Sequence, residues 1–239
     1  MQGWKTFIPT EQKIAYLNSL LQVGFHTVDF GSFVSPKAIP QMADTKEVLE
    51  GLDLSATTSK LLAIVANTRG AEEAVQYEAI DFLGFPLSLS ETFQQRNTNA
   101  SIKDALTRID EIQELCKSKN RRLVVYLSMG FGNPYGDAYS EEIVFDYAAQ
   151  LAQKGVQIIS LADTVGVATA EGVEKITAYL VQSLPGVEIG VHLHSTAFNW
   201  KEKVEAAYNA GCRRFDGALK GIGGCPMAND ELVGNMNTE

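Results

Sequence analysis

Val191-His192-Leu193-His194 gathers two of the chain's three histidines into one short window. Residues i and i+2 of a strand face the same way, so both imidazoles would stand side by side. Such a pair suits a metal site, and it equally suits two imidazoles each bonded to a neighbouring carboxylate. Other residues with chemistry to offer stand at the ends of apolar runs. They are Asp29 and Ser32, followed by Ser35-Pro36-Lys37; Asn67; Asp163-Thr164; and Lys220-Gly221-Ile222-Gly223-Gly224-Cys225. A lone polar strand end is ordinarily a helix cap or a turn, and Ser32, Thr164 and Ser195 each fit that role. Polar ends on several strands in register point instead to a shared mouth. The glycines at 221, 223 and 224 permit a tight loop or a moving lid. No Lys-Ser/Thr follows them, so the stretch is not a phosphate-binding loop. Cys225 sits beside Pro226 at the tip of this loop and reads as accessible, whereas Cys116 and Cys212 read as small buried hydrophobes.

Holding these residues requires a frame, and the apolar runs supply it. Strands are predicted over His26–Phe33, Leu61–Asn67, Ala79–Phe85, Arg121–Met129, Val156–Asp163, Glu188–His194 and Arg213–Gly221. Helical stretches lie between them. One starts at Thr10, a candidate N-cap, with Ile14, Leu17, Leu20 and Leu21 on one face and Gly24 after it. Others carry Ile102, Leu106, Ile109 and Ile112; Ile143, Val144, Tyr147 and Leu151, opened by Ser140 and Glu141; and Val173, Ile176 and Leu180. Alternating strands and helices with strands apolar on both faces mean a parallel sheet. The predicted architecture is α/β, a (β/α)8 TIM-type barrel in one domain over residues 1–239. A barrel needs eight strands and only seven are visible. The expectation is therefore an incomplete barrel, with its first strand before Met1 and its closing helix after Glu239. An open seven-stranded sheet is the alternative, and its edges would need cover.

Composition narrows the function. The 239 residues are 45% hydrophobic and 21% charged, ordinary for a globular domain with a sizeable core. A net charge of −9 argues against general nucleic-acid or anionic-membrane binding, which calls for a cationic surface. Three cysteines without a pairing pattern suit a reducing compartment. No apolar run is long enough to span a membrane.

Four stretches, in order, resemble motifs of one family. Asp29-Phe-Gly-Ser32-Phe-Val-Ser-Pro-Lys37-Ala-Ile-Pro-Gln-Met-Ala-Asp44 is similar to the second-strand signature of 3-hydroxy-3-methylglutaryl-CoA lyases. Leu161-Ala-Asp163-Thr-Val-Gly166, Val191-His-Leu-His194, and Gly223-Gly-Cys-Pro226 with Gly234-Asn235 resemble three more. The resemblance implies a divalent metal, Mg²⁺ or Mn²⁺, held by His192, His194 and the amide oxygen of Asn235. It implies cleavage of 3-hydroxy-3-methylglutaryl-CoA, or a close 3-hydroxyacyl-CoA, to acetyl-CoA and acetoacetate. Asp29 and Asp163 would be acid/base and positioning carboxylates, although the family usually has Glu at the Asp29 position. Cys225 would close over the thioester and share in proton transfer. Lys5 and Lys37 would meet CoA phosphates.

The family's first-strand motif is Arg-Asp-x-x-Gln-x-x-Lys, and Met1-Gln2-Gly3-Trp4-Lys5 matches only its second half. Without that Arg and Asp the chain is expected to be weakly active or inactive. The resemblance further implies a cytoplasmic enzyme of bacterial type, or a mitochondrial-matrix one in a eukaryote, working in leucine breakdown, and leaves room for a homodimer. Two rival readings stand beside it. One is another enzyme on the same scaffold, a 4-hydroxy-2-oxo acid aldolase or an acyl-CoA-condensing synthase. The other is a barrel that binds without catalysing.

Overall fold

The computed structural model describes residues 1, 2, 4, 6–223 and 234–239. Its strands are β1 (Thr27–Ser32), β2 (Lys60–Ile64), β3 (Ile80–Ser88), β4 (Arg122–Ser128), β5 (Ile158–Ala162), β6 (Glu188–His192) and β7 (Arg214–Asp216). They form one sheet in chain order, and every neighbouring pair is parallel. Helices α1 (Thr10–Val23), α2 (Thr45–Glu50), α3 (Thr68–Ala74), α4 (Glu91–Thr98), α5 (Ile102–Ser118), α6 (Glu141–Gln153), α7 (Ala170–Ser183) and α8 (Trp200–Asn209) fill the connections. This is the α/β barrel architecture with seven strands among the described residues, β1 and β7 forming the sheet edges. The sheet curls: the carboxylate of Asp29 on β1 feels the charge of Asp216 on β7 across the interior.

Alternation along the strands sorts side chains into two cores. Residues facing outward, among them Phe30, Leu83, Val125, Ile159, Leu161 and Val191, are buried under the helices in the large cluster between sheet and helical ring. The inward set is smaller: Leu62, Phe82, Val124 and Ile158, capped by Ile64 and Tyr126. Each such buried side chain contributes about 1.5–3 kcal/mol relative to exposure. Gly84 is what lets this layer close. A Cβ there would lie 2.7 Å from Ile64 Cδ1 and 3.0 Å from Tyr126 Cε2. Below, Phe82 is flanked by the guanidinium groups of Arg122, 4.6 Å from its centroid, and Arg214, at 5.7 Å. Above, towards the strands' C-terminal ends, the inward residues turn polar.

Several expectations need correction. The second strand stops at Ile64, short of Asn67, because Asn67 turns to cap α3, and the sixth stops at His192, so His194 lies beyond it. The last strand was expected over Arg213–Gly221 and stops at Asp216. A Cβ on Gly217 would sit 2.8 Å from Thr238 Oγ1 and 3.0 Å from the Met236 carbonyl, so the chain bends there to meet the 236–238 segment. Ala218 N–H then donates to Met236 O, and Thr238 N–H to Ala218 O. The third strand runs on to Ser88 through Pro86. Proline is tolerated because β2 ends opposite Gly84, leaving no ladder partner on that side. At α1 the cap position is Pro9, and the Thr10 hydroxyl donates to Asp44 instead.

Candidate active site

The polar layer above Tyr126 is built from four strands. β1 supplies Asp29, β5 supplies Ser160, β6 supplies His192 and β7 supplies Asp216. Register explains the meeting: Ala162 lies beside His192, and His192 beside Asp216. Ser160 Oγ donates to Asp216 Oδ2 at 2.9 Å, and His192 Nδ1 stands 3.6 Å from the same oxygen. That second separation is beyond hydrogen-bond length and within ion-pair reach. The Tyr126 ring presents its edge to His192, with centroids 5.6 Å apart.

His194 lies just past the end of β6. Its ring centroid is 5.5 Å from that of His192, and the residue is 3% exposed. Asn235 pairs with it in an isolated antiparallel bridge, flanked by Ser195 N–H to Gly234 O and Met236 N–H to Leu193 O. The Asn235 amide reaches back to the His192 ring. Its nitrogen donates to the Ile222 carbonyl at 3.3 Å, and its oxygen is buried and turned to the His192 ring without a hydrogen bond of ordinary geometry. Gly223, at φ +136°, makes room: a Cβ there would come 2.3 Å from Asn235 Nδ2. Gly223 thus serves the packing of Asn235.

Charge is balanced tightly in this layer. Burial works against the imidazolium of His192, yet Asp216, Asp29 and Asn235 together raise its pKa. Burial likewise works against the Asp216 carboxylate, and His192, Arg214 and Ser160 hold it below the ordinary range. Asp29 is pushed up to about 7, first by desolvation of its carboxylate and then by Asp216, against the pull of the chain's amino terminus and His192. The residue keeps contact with solvent, which limits that rise.

Two imidazoles and a buried amide oxygen without an ordinary hydrogen bond are the donor set expected of a mixed N/O cation site, so His192, His194 and Asn235 fit a divalent metal. Among the described residues no group of three or more His, Cys, Asp or Glu stands ready to hold an ion, and the amide is what completes the set. Asp163 is placed differently. Its carboxylate is fully buried, with Oδ2 2.7 Å from Lys203 Nζ and Oδ1 accepting the Ala168 N–H at 3.0 Å. Ser32 and Asn67 take local roles, whereas Thr164, expected at a cap or turn, ties its strand end to the neighbouring β4. Ser32 Oγ accepts from Val34 N–H, Asn67 caps α3, and Thr164 Oγ1 accepts from Met129 N–H. Lys37 is exposed on the β1–α2 loop. Lys5 and Cys225 lie outside the described residues. Asp216 and Ser160 were not singled out by the sequence, and Asp216's place at the end of a strand was the available signal.

The HMGL-like family model matches residues 1–239. The chain belongs to the HMGL-like family. The relatives found there are named as HMG-CoA lyases, carbon–carbon lyases, and this chain is a member of that enzyme family. It is 31% identical to the cytoplasmic 3-hydroxy-3-methylglutaryl-CoA lyase of Rattus norvegicus, over 100% of this chain and 69% of the relative. It is 32% identical to the 3-hydroxy-3-isohexenylglutaryl-CoA/hydroxymethylglutaryl-CoA lyase of Pseudomonas aeruginosa, over 100% of this chain and 79% of the relative. An HMG-CoA lyase of Acinetobacter baumannii, solved with coenzyme A and 3-methylmalate, superposes with a TM-score of 0.92 at 34% identity, covering 99% of this chain and 76% of that one.

Proposed function

We propose that this family member cleaves 3-hydroxy-3-methylglutaryl-CoA, or a close 3-hydroxyacyl-CoA, to acetyl-CoA and an acetoacetate-type oxo acid with the help of a divalent metal. The observation that carries the reading is the buried Asn235 amide oxygen without an ordinary hydrogen bond, set beside the His192–His194 pair. A divalent cation bound by His192, His194 and Asn235 would supply Lewis-acid polarisation of the substrate's hydroxyl and carbonyl oxygens. The remaining steps fall to side chains. Asp29, with a pKa near neutrality, takes the proton of the C3 hydroxyl. As the C3–O bond becomes a carbonyl, the C2–C3 bond breaks and its electron pair moves into the thioester enolate. A proton returned to C2 completes the products, and Cys225 is our candidate to deliver it. Asp216 orients His192 from behind, as carboxylates do for ligating imidazoles. Lys37, with Lys5, is assigned to the CoA phosphates. No helix of the described residues is long and apolar enough to cross a membrane. We place the reaction in an aqueous compartment, as the rat relative's cytoplasmic designation suggests.

The test is turnover with Mg²⁺ or Mn²⁺ present, following acetyl-CoA and acetoacetate by mass spectrometry, with a 4-hydroxy-2-oxo acid as the competing substrate. The expected result is slow, metal-dependent cleavage of the thioester that is lost on Asn235→Ala. Cleavage of the oxo acid alone would move the assignment to an aldolase.

A further inference from the structure

Among the described residues outside the polar layer, Lys13, Lys203 and Asp163 are the most heavily buried charged groups, each 1% exposed. Lys203 lies near the start of α8, where the positive end of the helix dipole works against a second cation. It is also shut off from water, and a buried pair of this kind is often no better for stability than apolar residues of the same volume. Stability alone does not account for it.

Its partners do. The ammonium meets Asp163 Oδ2 at 2.7 Å, the His194 carbonyl at 3.0 Å and the Gly166 carbonyl at 3.5 Å, three acceptors for three N–H donors. Asp163 in turn donates its backbone N–H to the His192 carbonyl at 3.0 Å. The ammonium therefore holds the His194 carbonyl directly, while the backbone of its ion-pair partner holds the His192 carbonyl. The grip matters most at His194, because β6 ends at His192 and the sheet no longer dictates the next residues' orientation.

We infer that Lys203, anchored by Asp163 and bonded to the His194 carbonyl, is a positioning residue that fixes His194 relative to His192, so that both rings face one cation; this rests on the metal reading above. Asp163 contributes here as part of the frame, its carboxylate taken up by Lys203 and the Ala168 N–H.

The test uses the whole chain carrying Lys203→Met. Two readouts are taken on folded protein: Mn²⁺ affinity, from the electron paramagnetic resonance signal of free Mn²⁺, and the two-bond ¹H–¹⁵N spectrum of the imidazoles. With three histidines the spectrum holds three ring patterns, and exposed His26 serves as the internal control. The expected result is Mn²⁺ affinity lower by about tenfold or more, a displaced His194 pattern and an unmoved His26. A folded variant with Mn²⁺ affinity within about twofold of the parent and an unmoved His194 pattern would overturn the inference. If the parent itself does not bind Mn²⁺, the metal reading falls, and the His194 pattern alone decides the positioning role: displaced supports it, unmoved sinks it. If Lys203→Met does not fold, Asp163→Asn is compared with Asp163→Asn/Lys203→Met. A further displacement of the His194 pattern on adding the second substitution supports the role, and none overturns it.

Discussion

Asp216 and Asn235 touch the same imidazole and do opposite work. Asn235 brings an oxygen that lacks an ordinary hydrogen bond, whereas Asp216 brings one already shared between Ser160 and His192. Removing the negative charge of Asp216 without changing its shape isolates the second role. Asp216→Asn is expected to lower Mn²⁺ affinity about 10- to 100-fold, read by calorimetric titration, while the thermal midpoint stays near the parent's. Asp29 allows a sharper chemical test, because a base acts ionised and its pKa lies at about 7. The rate kcat/KM should therefore rise as pH passes through neutrality. In Asp29→Asn that rise should vanish and kcat should fall about 10²–10⁴-fold; a variant keeping the parent's pH profile would remove Asp29 from proton transfer. At this scale, residue type and spacing made His192 and His194 legible, and Asn235 came from a motif. Asp216 and Ser160 stayed hidden because β7 is three residues long and Ser160 lies within a wholly buried strand. Lys203 was missed because a search for apolar stripes passes over a lysine that is itself inside.

Helices and loops position these side chains through a few contacts that a sequence pattern does not advertise. α1 is fastened by Lys13, whose ammonium meets the Gln41 carbonyl at 2.5 Å and Asp44 Oδ1 at 2.6 Å. The Gln41 side chain in turn holds Trp4, Thr6 and Ile8, donating to the carbonyls of the first two and accepting from Ile8 N–H. Lys13→Met leaves the mostly buried Asp44 carboxylate unpaired. It should cost about 3 kcal/mol in urea unfolding, with much of that regained in Lys13→Met/Asp44→Asn. A loss equally large in the double variant would show that packing, and not the charge pair, is at stake. The glycine-rich loop gives a second element-scale test. A methyl at Gly223 collides with the Asn235 amide and meets a positive φ, so Gly223→Ala should weaken Mn²⁺ binding more than it lowers the urea midpoint. The strand–helix alternation was plain in the sequence because apolar runs and apolar faces recur at regular spacing. Short α2, α3 and α4 and the charged α8 were not, since six to eight residues offer too few turns for a stripe and α8 turns Lys203 inward.

Over the whole molecule, the balance of protonation between folded and unfolded chains sets the pH dependence of stability. Cys116 on α5 and Cys212 before β7 are buried, and burial pushes their thiols up to about 12 and about 11. An unfolded cysteine ionises near pH ~8.5, so between that value and the folded ones the native state binds more protons than the unfolded state. Stability must then fall as pH rises, by about 1.4 kcal/mol per pH unit for each thiol, with no contribution below the unfolded pKa. The acidic excess of the chain, −9 at pH 7, repels itself more strongly as pH rises and adds a slope of the same sign. The two causes separate by subtraction. Urea unfolding of the parent and of Cys116→Ala/Cys212→Ala, measured at half-unit steps from pH 8 to 10.5, should give curves that run parallel at the lower end and converge above it as the parent alone loses stability through its thiols. Parallel curves across the range would mean that both thiols ionise in the folded protein as readily as in the open chain. That would in turn require the layer between sheet and helices to admit water where both side chains are at most 1% exposed.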